Sequence, residues 1–196
     1  MTPLVQSTYD WLYRDLSLRW AGLAVGLLLL ALHLYAFFNG RALMDWLKTA
    51  PRDKKVGVII LTIDLFWALL LVGGMDLGEF WKMRKWLFLL LPLSYALMIV
   101  YVDEFLTARA IGILLLLAAC PLLDAAFLEL PVSRLLLPVL AYIWILLGMF
   151  WVGMPYLMRD HVQWVSASDG RWKRLTLGGA AYGAVIIVCA LVFWGR

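Results

Sequence analysis

The sequence predicts an all-α integral membrane protein, with about six transmembrane helices and an amphipathic N-terminal helix lying in the interface. Three observations predict it. Hydrophobic residues make up 65% of the 196-residue chain and charged residues 15%, against about 45–50% and about 25% in soluble domains. Mean hydropathy is +0.89, so a water-soluble monomer and extended disorder are both excluded. The apolar residues also gather in six runs of roughly the 20-residue length that a bilayer crossing needs.

Residues 1–19 are expected to form the interfacial helix. Val5, Tyr9, Leu12, Tyr13, Leu16 and Trp20 recur at helical spacing, opposite Gln6, Asp10, Arg14 and Ser17. One face then suits lipid and the other water. Ser7 with Asp10 is expected to cap its start. Asp10, Arg14, Asp15 and Arg19 precede the first apolar run, and no Ala-x-Ala-like site follows it, so the first span is expected to stay as an anchor.

The spans follow at residues 20–38, 56–74, 86–102, 110–128, 135–158 and 175–194, in a single membrane domain. Backbone groups in hydrocarbon must bond internally, which leaves helices or closed barrels. The run LLLLALHL at 27–34 lacks the alternation of a barrel strand. Only DEFLTAR at 103–109 separates the third and fourth spans. They read as a tight helical hairpin, with one long bent segment as the competing reading. Trp20, Trp81, Trp86, Trp151, Trp172 and Trp194 fall at or near span ends, where an apolar ring with a polar N–H suits the interface. Trp67 and Trp144 sit mid-span and are expected to pack between helices. Residues 41–50 predict a short surface helix, carrying Leu43, Met44, Trp46 and Leu47 and ended before Pro51. The polar stretch 162–174, centred on Asp169-Gly170, reads as a small hairpin or an irregular loop.

Six spans place the connections alternately on two faces. The 39–55, 103–109 and 159–174 connections carry ten Lys and Arg, and the other face, with both termini, carries seven. Basic residues stay preferentially in the cytoplasm, so the termini are expected outside, in a plasma or inner membrane. The KMRK run at 82–85 opposes that orientation. A net charge of +4 and a pI of 9.2 fit anionic lipid headgroups. The basic residues are split among flanking loops, so nucleic acid is not an expected partner.

Two carboxylates fall inside spans, where an ionisable group costs about 2.5–3.5 kcal/mol and is a functional candidate by default. Asp64 lies near the middle of the second span, and Ser94 and Tyr95 near the middle of the third. If these helices are neighbours, Tyr95 or Ser94 can hydrogen-bond Asp64. His33, about 5 Å away in depth by helical rise, can reach the same site. The functional reading is a proton- or ion-binding site of Asp64, Tyr95 and His33. The competing reading is a hydrogen-bonded Asp that locks helix packing. Asp124 follows Cys120-Pro121, where a proline kink is expected to open a small polar cavity; alternatively Asp124 reaches interfacial water near Glu129 and Arg134.

A third set lies at the ten-charge face. Asp103, Glu104, Asp160 and His161, with Arg109 and Arg159, are weak catalytic candidates. Carboxylates, histidine and arginines together suit a divalent metal and a lipid phosphate. Their spacing matches no metal motif, charges at helix ends are ordinarily solvated, and no metal is expected. Two histidines are the minimum for bis-histidine haem ligation, but nothing fixes His33 and His161 across one ring and C-x-x-C-H is absent. No cofactor is therefore expected. No lysine lies inside a span to form a Schiff base, and no phosphate-cradling G-x-x-x-x-G-K-[ST] loop occurs. Cys120 and Cys189 read as buried small residues.

Packing signals are clearer than chemical ones. Gly22 and Gly26 form G-x-x-x-G in the first span, and Gly179 and Gly183 form another in the sixth, flanked by Gly178, Ala180, Ala181 and Ala184. Such stripes let backbones approach, joining the first and sixth helices or meeting a partner subunit. Small loops, no soluble domain and sparse polar groups in the spans make a structural or accessory subunit of a membrane complex the leading expectation. A small proton- or ion-coupled transporter or channel using Asp64 and Asp124 comes second, and a lipid-active enzyme at the ten-charge face third.

Overall fold

The computed structural model describes residues 3–102 and 105–194, which form helices, turns and short links with no strand among them. The α-helices are α1 (Pro3–Tyr13), α2 (Leu18–Phe38), α3 (Gly40–Thr49), α4 (Lys54–Gly74), α5 (Arg84–Tyr101), α6 (Leu106–Ala125), α7 (Leu136–Gly153), α8 (Tyr156–Ser166) and α9 (Asp169–Val192). Six of these, two of them lengthened by a preceding 3-10 turn, are long and apolar enough to cross a bilayer. α5 and α6 are separate helices rather than one long bent segment. Phe105 opens α6 in the left-handed conformation, φ 59°.

Large apolar side chains such as Leu28, Ile63, Phe66, Leu93, Leu146 and Val188 point outward, while Ala21, Ala110, Ala141 and Ala190 are buried. Small residues inside and large ones outside suit a bundle whose solvent is hydrocarbon. α2 pairs most extensively with α9, and α6 with α7. These pairs share one core around Leu29, Leu122, Leu137 and Ile186. α4 lies on α6, with a second cluster of Leu61, Leu106 and Ala110. α5 lies on α4, and no residue of α5 is buried.

Several boundaries differ from the sequence expectation. α6 begins at Leu106 rather than residue 110, and α9 at Asp169 rather than 175. Hydropathy marks where the apolar run ends, whereas backbone hydrogen bonding carries a helix on into its polar flank. The 162–174 stretch is neither hairpin nor loop: its first part completes α8 and its last part is the opening of α9. α7 stops at Gly153, before Pro155. Ser7 and Asp10 lie inside α1, and Asp10 accepts from Gln6 and pairs with Arg14, both at 3.2 Å. The capping serine is Ser17, whose Oγ accepts from the Trp20 N–H at the start of α2.

α1 is tied to the bundle by side-chain contacts. Trp67 Nε1 donates to the Tyr13 hydroxyl at 2.7 Å, and Tyr9 packs where Gly74 leaves room. The N-terminal helix is thereby fastened to the end of α4. At the opposite end the 3-10 turn Ala50–Arg52 packs against α6 and α3, and α3 packs against α8.

Candidate functional site in the α4–α5–α6 crevice

Asp53 starts α4 by capping it, its Oδ1 accepting from the Lys55 N–H at 2.9 Å and the Val56 N–H at 3.4 Å. The same end is fixed against α6. A Cβ on Gly57 would lie 2.8 Å from the Thr107 amide nitrogen, and the Thr107 hydroxyl donates to the Asp53 carbonyl at 2.6 Å. From this anchor α4 runs on to Asp64, midway between Lys54 and Gly74.

Asp64 faces α5. Leu61, Asp64, Leu65 and Ala68 of α4 line a cavity of about 80 Å³ together with Leu91, Ser94, Tyr95 and Met98 of α5 and Ile113 of α6. Both sets follow the i, i+3, i+4, i+7 spacing that puts side chains on one helix face. Asp64 is 2% exposed, and neither carboxylate oxygen has a hydrogen-bond partner among the described residues.

Ser94 and Tyr95 share this cavity, as the sequence placed them, but their protons go elsewhere. The Ser94 hydroxyl donates to the Leu91 carbonyl at 2.8 Å. The Tyr95 hydroxyl lies 2.9 Å from Thr62 Oγ1. Thr62 in turn donates its single proton to the Val58 carbonyl at 2.7 Å, so in the Tyr95–Thr62 bond Tyr95 is the donor. Sequence reasoning missed Thr62. It stands two positions before Asp64, and residues two apart on a helix do not share a face; only the pairing of α4 with α5 reveals its role.

The remaining candidates are dispersed. His33 sits on α2, its Nδ1 2.8 Å from the Leu29 carbonyl, with its ring filling the space beside Gly179 of α9. It belongs to the α2–α9 seam and does not join Asp64. In that seam a Cβ on Gly183 would lie 2.9 Å from the Gly26 carbonyl, and one on Gly26 3.0 Å from the Gly183 carbonyl. The two glycine stripes thus face each other within one chain. Trp194 packs over Gly22 at one end of the seam and donates to Ser133 Oγ at 2.9 Å. Trp172 donates to the Ala36 carbonyl at 2.9 Å at the other. Both indoles are buried, not free interfacial anchors as the sequence suggested.

Asp124 is exposed and accepts from Cys120 Sγ at 3.7 Å. Cys120 is exposed too and Cys189 half-buried, which corrects the expectation of two buried thiols. Asp103 and Glu104 lie outside the described residues. Asp160 pairs with Arg159 at 2.8 Å, and His161 Nδ1 accepts from Trp151 Nε1 at 3.3 Å. Arg52 and Arg159 both stand over the Phe105 ring, 5.6 and 6.0 Å from its centroid. His33 and His161 therefore face different neighbours. Among the described residues no group of three His, Cys, Asp or Glu is placed to hold a metal.

Fold and site together define a class: an all-helical bundle, six of its helices long and apolar enough to cross a membrane, with a buried carboxylate midway along one of them. Comparison with known proteins goes no further, since no family model, no curated protein and no solved structure matches the chain.

Proposed function

We propose that the six long helices cross a membrane and that the chain is a small carrier or channel for a proton or small ion, with Asp64 as its binding carboxylate at mid-depth. One observation supports this reading above the others. A carboxylate 2% exposed, lining a crevice, has no protein donor among the described residues. Burying such a group unpaired costs about 1–3 kcal/mol, more when it is charged, and it adds no hydrogen bond to the packing. In this reading the end bearing the ten basic residues faces the cytoplasm. The test is flux in proteoliposomes under an imposed proton or sodium gradient. The wild-type chain is expected to move one of these ions, and Asp64→Asn to abolish the movement while eluting as the same folded species. A wild-type chain that moves neither ion, or a folded Asp64→Asn chain with undiminished flux, rejects the reading.

A second reading has its own support. α5 has the length of a span yet buries no residue, as a helix does when it completes a contact with another polypeptide. Under this reading the chain is an accessory subunit of a membrane complex. Cysteine placed at Leu93 on α5 should then crosslink to a stoichiometric second polypeptide in native membranes, while cysteine at Val188 on α9 should not. A lone, uncrosslinked chain would reject it.

A further inference from the structure

The polar groups of the Asp64 crevice share a property that sets the chemistry of what it takes. Ser94 donates its hydrogen bond to the Leu91 carbonyl and Tyr95 donates to Thr62 Oγ1, which itself donates to the Val58 carbonyl. A hydroxyl carries one proton and two lone pairs, so the two hydroxyls lining the crevice have only lone pairs left to offer. The Asp64 oxygens are bonded to nothing among the described residues. No lysine, arginine, histidine, asparagine, glutamine or tryptophan lines the cavity. With Asp64 ionised, every polar group there offers lone pairs and none offers a free donor.

We infer that this crevice is a binding site for one small monovalent cation, held by the Asp64 carboxylate with the Ser94 and Tyr95 hydroxyl oxygens as further ligands. An anion would meet a like charge and no donor. A divalent ion wants several carboxylate oxygens, and Asp64 is the one carboxylate lining the cavity. About 80 Å³ holds a bare or partly hydrated ion, since one water needs roughly 10–15 Å³ on this measure. A bulky organic cation does not fit. The inference rests on the transport reading for its physiological use, but binding can be measured without transport.

The experiment uses the full chain in lipid nanodiscs and dicyclohexylcarbodiimide, a hydrophobic reagent that adds a protonated carboxyl across its C=N bond and rearranges to a stable N-acylurea with no leaving group. Mass spectrometry locates the adduct. Sodium, lithium, potassium and methylammonium chlorides are compared with choline and magnesium chlorides at one pH and ionic strength. At ten times its dissociation constant a cation leaves about a tenth of the sites free. Labelling of Asp64 should therefore slow by about tenfold with at least one of the small monovalent ions, and not with choline or magnesium. Tyr95→Phe and Ser94→Ala keep the carboxylate and lose an oxygen ligand; each should raise the half-protecting concentration, by roughly tenfold for Tyr95→Phe. Should Asp64 resist the reagent, the same salts are read by thermal unfolding, where the protecting ion should raise the midpoint of the wild-type chain and not of Asp64→Leu. Equal labelling in all salts, protection by magnesium or choline, protection indifferent to both hydroxyl variants, or neither protection nor a thermal shift would each overturn the site. Protection without flux would leave the site standing and remove the transport reading; proton flux without protection would do the reverse.

Discussion

Two helix pairs in this bundle are built differently. Between α2 and α9, glycine meets glycine: Gly26 and Gly183 each lie where the other's carbonyl leaves no room for a Cβ, and an indole closes each end. Between α4 and α5 the facing positions are Leu61, Leu65, Leu91 and Met98, side chains that keep the backbones apart. Along the Gly26–Gly183 stretch of the first pair, close approach replaces space with dispersion contacts. The bulkier second pair leaves a crevice, and Asp64 lies in it. On the proposed reading, stability and ion binding belong to different helix pairs, and substitutions that reverse the assignment can break the comparison.

The largest effect is expected at the seam. Gly183→Leu would drive a side chain into the Gly26 carbonyl and the Leu30 amide nitrogen, each 2.9 Å from an ideal Cβ. Neither backbone can rotate away, so the helices must part. Overpacking of this kind costs typically about 1–3 kcal/mol and sometimes more, and here a loss of at least about 3 kcal/mol is expected. Gly178, on the same helix, has nothing within 4 Å of its Cβ position. Gly178→Leu should be neutral, or stabilising by up to about 1 kcal/mol through helix propensity. Thermal unfolding followed by size-exclusion chromatography measures both; equal behaviour of the two variants would mean the seam is not tight.

Next comes Asp64→Leu. If the carboxylate serves a ligand rather than the fold, replacing it with an apolar side chain removes an unsatisfied buried group worth about 1–3 kcal/mol. The crevice has room for the larger residue. The variant is expected to be more stable than the wild type in the same detergent and inactive in flux. A destabilised variant would place Asp64 among the packing residues.

Much of this contrast was legible in the sequence. Six apolar runs gave the six long helices, because segment length and hydropathy are properties of the chain alone. Gly22, Gly26, Gly179 and Gly183 pointed to close packing, and the structure joins them within one chain. Asp64, Ser94 and Tyr95 were legible as one depth because rise per residue is fixed. What could not be read was azimuth. His33 shares nearly that depth but turns to Gly179, and Thr62, unremarkable in an apolar run, accepts the hydrogen bond of Tyr95. Which helix neighbours which decides both, and that depends on contacts distant in sequence. Trp172 and Trp194 misled for a related reason: an indole at a span end can face the interface or the adjacent helix, and its N–H is satisfied either way.

A smaller effect tests the clamps. Trp172→Phe loses the N–H donated to the Ala36 carbonyl at 2.9 Å and part of the buried indole's volume. A net loss of at least about 1 kcal/mol is expected. The loss should add to that of a cavity-forming change at the far end, Trp194→Phe, because the two ends share no partner. Strong non-additivity in a double-mutant cycle would show that the seam responds as one unit, from indole to indole.

The smallest effect sharpens the comparison most. Leu93 and Leu97 are 49% and 47% exposed on α5, and truncating such side chains away from a core changes stability by within about 0.5 kcal/mol. Leu93→Ala with Leu97→Ala should therefore leave the purified chain's unfolding unchanged. The informative step is to repeat the measurement where the chain resides. If α5 faces only lipid, the double variant accumulates in the membrane as the wild type does. If α5 completes an interface, the variant behaves normally when purified alone yet is depleted or loses its crosslink in native membranes, because the lost contact belongs to another polypeptide. A double variant that unfolds early even when pure would mean α5 is held to α4 more firmly than its exposure implies, and the division between a packed seam and a loose edge would have to be abandoned.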